Sequence, residues 1–212
     1  MTVAVEAFFA PLRVARIRWH LGGVFESTRM LGGGGINHQL GERLWEGSIA
    51  LDIDEHASQL AVEAWVARMQ DPGQGFLMFD PRARWPRSDP GGTILGAATP
   101  VIHALPAGNR TLRIAGLPPG YVLDAGTALS WEYANAPVRH AHHRLLTAGV
   151  ADGAGVTPAL EVAPAIRPGS AVGAEVRLID PVCKARVVGV VWGDAAGAIS
   201  EGPVLSWEQT LL

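Results

Sequence analysis

The chain has 212 residues, of which 26 are Gly and 15 Pro; 48% are hydrophobic and only 17% charged, against about 25% charged in an average globular protein. A high apolar fraction with a formal net charge of −3 excludes a disordered polyelectrolyte, and the glycines lack the period of three that collagen requires. The basic residues are all Arg except Lys184 and are scattered, so no nucleic-acid patch is expected. The single cysteine, Cys183, excludes an intrachain disulfide framework and a multi-cysteine zinc site.

Residues 13–21 approximate a half-buried strand with Arg16, Arg18 and His20 on one face. A short run, Val24–Thr28, leads to the cluster Gly32, Gly33, Gly34 and Gly35. Trp45, Gly47, Ile49, Leu51 and Ile53 then alternate along a second strand, so the two strands are expected to form a long hairpin or a strand pair around a Gly-rich excursion. One helix is expected over residues 55–70, capped by Asp54 and stopped at Asp71-Pro72-Gly73. Its inward stripe is read as Ala57, Leu60, Ala61, Ala64, Trp65 and Met69, with Gln59 and Glu63 facing outward. Residues 76–79 read as a buried strand, and 80–92, rich in Pro, Arg and Gly, as a loop or linker.

Beyond Gly92 short strands recur at intervals of about 8–12 residues, the texture of a small antiparallel barrel or sandwich. The expected strands are 111–115, 128–133, 144–150, 159–162 and 176–179, with more at 185–191 and 204–207. The expected fold class is therefore mainly β. A first domain over 1–90, an antiparallel β-sandwich or barrel with one packed helix, is completed by 186–212; a small antiparallel β-barrel over 91–185 is inserted into it.

Chemical motifs are sparse. His140, His142 and His143 are the densest polar cluster, but no cysteine or paired carboxylate stands beside them. Exposed strand-edge histidines are expected, without metal. The Gly32–Gly35 run lacks the Lys-Ser/Thr and helix start of a phosphate loop and reads as a flexible loop tip. Ser48, Ser58, Ser130 and Ser206 have no nucleophile-elbow context, and Cys183 reads as a buried, inert thiol. Neither catalysis nor a cofactor is expected. No apolar run reaches the ~18–20 residues of a membrane span, and Glu6 stands where a signal peptide carries positive charge. A soluble chain made in the cytoplasm, without membrane insertion, is expected.

The order of turns and strands carries a resemblance. Leu123-Asp124-Ala125-Gly126-Thr127 precedes a strand, followed by Ala151-Asp152-Gly153-Ala154-Gly155, by Val162-Ala163-Pro164-Ala165-Ile166-Arg167, and by Pro181-Val182-Cys183-Lys184-Ala185-Arg186. In the first half, Trp45-Glu46-Gly47-Ser48 opens a strand, a helix contains Trp65, and Gly75-Phe76 leads to Phe79-Asp80-Pro81. Over about residues 44–190 this resembles the distal tail or minor tail proteins of long-tailed, non-contractile bacteriophages. The resemblance implies a structural virion protein at the tail tip, assembled in the host cytoplasm. It implies a six-fold ring of copies joining the tail tube protein to the baseplate hub protein and tail fibres. Subunit contacts are then expected at Arg13, Arg16 and Arg18, which offer rigid bidentate donors. They are also expected at Gly32, Gly33, Gly34 and Gly35, and at Trp85 in the Pro/Arg loop. A carbohydrate- or receptor-binding β module using Trp85 is the alternative.

Overall fold

The computed structural model describes residues 2–23, 25–52, 54–196 and 199–211. In chain order the elements are β1 (Thr2–Val3), α1 (Val5–Phe9), β2 (Val14–Leu21), β3 (Phe25–Arg29), β4 (Gly35–Gln39), β5 (Trp45–Leu51), β6 (Asp54–Glu55), α2 (His56–Met69) and β7 (Gly75–Met78). There follow β8 (Val101–Ala104), β9 (Thr111–Ala115), β10 (Val122–Leu123), β11 (Ala128–Asn135), β12 (Val138–Leu145), β13 (Gly149–Val150) and β14 (Leu160–Ala163). The last are β15 (Cys183–Val191), β16 (Ala195–Ala196), β17 (Ile199–Ser200) and β18 (Val204–Gln209). The protein is mainly β and antiparallel, with one long helix and the short α1. Val24, which opens the short run, and Ile53, assigned to the second strand, lie outside the described residues. The chain divides into two compact units, the first comprising Phe9–Gly75 and Ala185–Thr210, the second Thr2–Phe8 and Phe76–Lys184.

In the first unit β5 pairs with both β2 and β18, and β18 with β15. The alternation read from the sequence sets the faces. Arg16, Arg18 and His20 stay exposed, while Trp19, Trp45, Ile49, Leu205 and Trp207 are buried on the opposite face. Trp19 packs on Trp207 with ring centroids 4.5 Å apart and on Trp45 at 6.5 Å. The helix forms where expected but is turned. Its buried residues are Gln59, Val66 and Met69, with His56, Val62, Glu63 and Trp65 half-buried, whereas Leu60 is 64% exposed and Ala57, Ala61 and Ala64 face outward. The buried positions still keep a helical spacing. The apolar stripe was misplaced because small alanines mark no face strongly, and because Gln59 is buried despite its polar amide. Asp54 is not the cap: the helix begins at His56, with Glu55 at the N-cap making no side-chain cap bond. Instead the helix start is tied by His56 Nδ1 to the Ser200 hydroxyl at 2.6 Å.

The second unit is built on a five-stranded sheet in the order β11-β12-β14-β9-β8. Its core gathers Ile102, Leu112, Ile114, Leu123, Leu129, Trp131, Leu145, Leu160 and Val176. The closed barrel is not formed. Edge strands β8 and β11 do not pair; residues 173–177 span the gap, with single bridges from Glu175 to Val101 and from Arg177 to Ser130. Val176 and Leu178 point into the core as a strand would. Gly173 at φ +88° and Asp180 at φ +44° bend the chain out of strand geometry at either side. The strand expected over 176–179 is therefore an irregular filler.

Residues 80–92 belong to this unit and are fastened along it. Asp80, 1% exposed, accepts from the amide and guanidinium of Arg82 and, at 3.2 Å, from Arg144. Arg84 grips Asp180 with two bonds of 2.7 and 3.0 Å. The Ser88 amide and hydroxyl both donate to Asp124. Asp89, also 1% exposed, accepts from the amides of Ile94 and Leu95 and from the Tyr121 hydroxyl at 2.9 Å. Burial alone would raise the Asp89 pKa, but these donors outweigh it and hold the carboxyl below its ordinary value.

Candidate assembly interface

Between β2 and β5 the chain runs out into a separate two-stranded hairpin, β3 and β4, in register from Phe25 opposite Gln39 to Arg29 opposite Gly35. At its base the Gly22 amide donates to the Leu44 carbonyl at 2.8 Å, and Arg43 lies over the Phe25 ring at 6.0 Å. Its apex is a turn from Met30 to Gly34, closed by bonds from Met30 N to Gly34 O and from Gly33 N to Met30 O. Gly33 takes φ +84°, which a β-branched residue could not hold cheaply. Every described residue from 25 to 42 is exposed, including Phe25, Met30, Ile36 and Leu40 at 52–59%, and Leu31 is completely exposed. A two-stranded hairpin alone is at best marginally stable in water, so these apolar side chains need a surface to cover them.

Arg16 and Arg18 project from β2, the outer strand of the first unit's sheet beside β5. Arg18 lines a shallow cleft of about 310 Å³ with His20, Glu46, Val188, Trp207 and Glu208. His20 lies 3.2 Å from Glu46, and Arg186 is paired with Glu208. Arg13 stands elsewhere, at a groove of about 370 Å³ between the chain entering β2 and the helix α2, floored by Leu12, Leu51, Ala61 and Val62. More than half of the large apolar side chains left exposed lie on the first unit, among them Leu60, Val191, Trp192 and the hairpin residues. Of the residues expected at contacts, the structure thus places Arg13, Arg16, Arg18 and Gly32–Gly35 on the first unit. It puts them at three places: groove, sheet edge and arm tip.

Trp85 belongs to the second unit. It is 37% exposed, and the Arg84 guanidinium, held by Asp180, sits 5.3 Å from its ring centre and 5.1 Å from that of Phe79. A ring so occupied offers a sugar less stacking surface than a bare one.

The histidines are not at an exposed edge. β12 is an inner strand, between β11 and β14, and His142 and His143 are each 1% exposed. They point to opposite faces: His143 stacks on Trp131 at 4.4 Å and hydrogen-bonds the Pro164 carbonyl at 2.9 Å, while His142 reaches the Val182 carbonyl at 3.3 Å. Burial, only partly offset by those carbonyls, lowers the pKa of His142 to about 4 and of His143 to about 3. Among the described residues no three His, Cys, Asp or Glu side chains are grouped to hold a metal. Cys183 is fully buried and burial pushes its thiol pKa up. Ser200, which meets His56, is 6% exposed, so its hydroxyl is not presented to a substrate. No helix among the described residues is long and apolar enough to cross a membrane.

The fold and these surfaces define a mainly-β protein of two units with an exposed arm, an open sheet edge and an apolar groove on the first. No family of known proteins matches the chain, and no curated protein is significantly similar to it.

Sequence reasoning located the glycine run but missed the apolar residues around it. The signal was available in Met30-Leu31 immediately before the glycines and Ile36 immediately after them. An uncharged, Gly-rich apex flanked by large apolar side chains is poor loop composition for a chain that stays in water. Val191, which ends β15, and Trp192, just past it, were missed because the apolar run 187–192 reads as core although Val188, Val191 and Trp192 are exposed.

Proposed function

We propose that this protein is a structural component of a bacteriophage-type tail tip. In this reading it is a ring-former that joins the tail tube to the baseplate hub and its fibres through a closed six-fold ring. The observation that carries the reading is the arm of residues 25–40, whose side chains are all exposed and partly apolar. Identical subunits that meet head to tail close into a ring when the rotation permits, and each copy then gives one surface and receives the other. The resemblance in the order of turn and strand motifs to distal tail and minor tail proteins supports the same reading. The role is mechanical. The first unit supplies the ring contacts, and the second is a rigid block braced by Asp80, Asp89, Asp124 and Asp180. Absolute quantification of this chain against the tube protein in purified particles tests the proposal. Six copies per particle are expected; a copy number that is not a multiple of six contradicts it.

A further inference from the structure

We infer that residues 178–182 form an acid-released latch. The cross-strand pair Ser130 and His142 clamps the Val182 peptide onto the outer face of β11 and β12, and protonation of His142 lets the segment lift while the sheet beneath stays paired. The inference concerns the second unit alone and is independent of the ring reading.

Geometry carries it. Ser130 and His142 stand directly opposite each other in the β11–β12 ladder, so their side chains share one face, the face turned away from Leu129 and Trp131 in the core. Between them they satisfy both backbone groups of Val182. Its amide donates to Ser130 Oγ at 2.9 Å, and its carbonyl accepts from His142 Nδ1 at 3.3 Å. Val182 belongs to no strand, so two side chains take the place of a ladder there. Just before the segment, Arg177 exchanges backbone bonds of 3.0 and 2.7 Å with Ser130. Within it, the Asp180 amide donates to the Arg84 carbonyl and the Asp180 carboxylate accepts from the Arg84 guanidinium. Under this cover Ser130 and His142 are each 1% exposed. A neutral imidazole suits such a dry site, whereas an imidazolium must be paired or reach water. The charges that face His142 are Arg144, on its own strand, and Asp80, from the segment before β8. Asp80 already accepts from both Arg82 and Arg144, so two cations surround one carboxylate and no counter-charge is left for a third. On the same face His140 meets Glu132 of β11 at 3.9 Å and feels Arg177 and Lys184, which flank the segment. An imidazolium at His142 therefore gains most by becoming hydrated. β11 and β14 are tied to β12 by backbone ladders, so the irregular cover is the part that yields. The latched state holds the His142 proton less tightly than the lifted one, and lifting grows easier as pH falls below the ordinary histidine value.

Amide hydrogen exchange of the full chain, read residue by residue and corrected for the intrinsic effect of pH, tests this. From pH 7 to pH 4.5 the protection of the Val182 amide should fall at least tenfold more than that of Trp131 and Ala141, which pair within the sheet. His142→Asn keeps a side-chain N–H for the Val182 carbonyl but does not titrate; in it that extra loss should shrink to less than twofold. Ser130→Ala removes the acceptor of the Val182 amide and should lower its protection at least tenfold already at pH 7. The parent titration and Ser130→Ala decide the matter even where His142→Asn fails to fold. Val182 protection that does not change with pH overturns the inference. So does a loss shared equally by Val182, Trp131 and Ala141, which would be acid unfolding of the whole unit. An extra loss that persists in His142→Asn would move the acid response to another group, and unchanged Val182 protection in Ser130→Ala would remove the clamp.

Discussion

At Gly47 in β5 a Cβ would run into the Arg18 carbonyl of β2, and the Trp207 ring would stand 3.1 Å away. Even one methyl group therefore has no room between the paired strand and the tryptophan cluster. Overpacking of this kind costs typically ~1–3 kcal/mol, and here the obstacle is backbone, which cannot rotate aside. Gly47→Ala should destabilise the protein by at least that much in chemical denaturation, whereas Gly32→Ala should change stability by less than about 0.5 kcal/mol.

His142 and His143 make a second prediction at the same scale. Their folded pKa values, about 4 and about 3, lie below the ordinary value near 6.5. The unfolded chain therefore takes up protons first, and stability present above pH 6.5 is lost as pH falls toward the folded values. The buried carboxylates Asp80 and Asp89 also have lowered pKa values, but they contribute only where an unfolded carboxyl titrates, around pH 4. Between pH 6.5 and 5 the histidines act without the carboxylates, and half-buried His140, whose pKa burial also lowers, adds to the loss in the same direction. At 1.36 kcal/mol per unit, the loss over that window is about 2 kcal/mol for each of His142 and His143. Thermal melts should show it, and His143→Phe, which keeps a ring against Trp131, should reduce the slope. An unchanged slope would mean that His143 is not held neutral.

At the scale of elements, most of the strands were legible because alternation and turn residues agree: β2, β5, β9, β11 and β14 lie where Val, Ile, Leu and Trp alternate between Gly, Pro and Asp. The failures have a common cause. In α2 four alanines leave the period ambiguous, and burial of Gln59 reverses the expected side. In β12 a strand of polar appearance is buried because each of its two inner histidines meets a backbone carbonyl through Nδ1 and His143 stacks on Trp131. In 80–92 composition suggested a linker, but charge pairs across as many as 96 residues, such as Arg84 with Asp180, fasten it. Partners that far apart in sequence leave no local pattern. The helix supplies a direct check. Met69→Ala, at a buried position, should cost ~2–5 kcal/mol by denaturation, while Leu60→Ala should stay within about 0.5 kcal/mol. Trp65, half-buried rather than central, should fall between them. The reverse order for Met69 and Leu60 would restore the stripe read from the sequence.

At the scale of the whole molecule, the candidate interface was legible only as punctuation. The glycines at 32–35 announce a turn, and the flanking strands announce a hairpin. Nothing in their pattern says that the hairpin stands off the sheet, because exposure depends on what fails to pack against it. Arg16 and Arg18 were expected as interface donors and do lie exposed along the sheet edge. Contacts made by them should weaken as ionic strength rises, since exposed charges are screened within about 10 Å at 0.1 M salt. The apolar arm contact should persist, so assembly should soften with salt without disappearing. The most direct measurement is an image of the assembled tail at a resolution that traces the chain. The account predicts six copies in one closed ring, with residues 22–43 of each copy seated on its neighbour. Three copies, or a single peripheral copy with residues 22–43 in solvent, would contradict it.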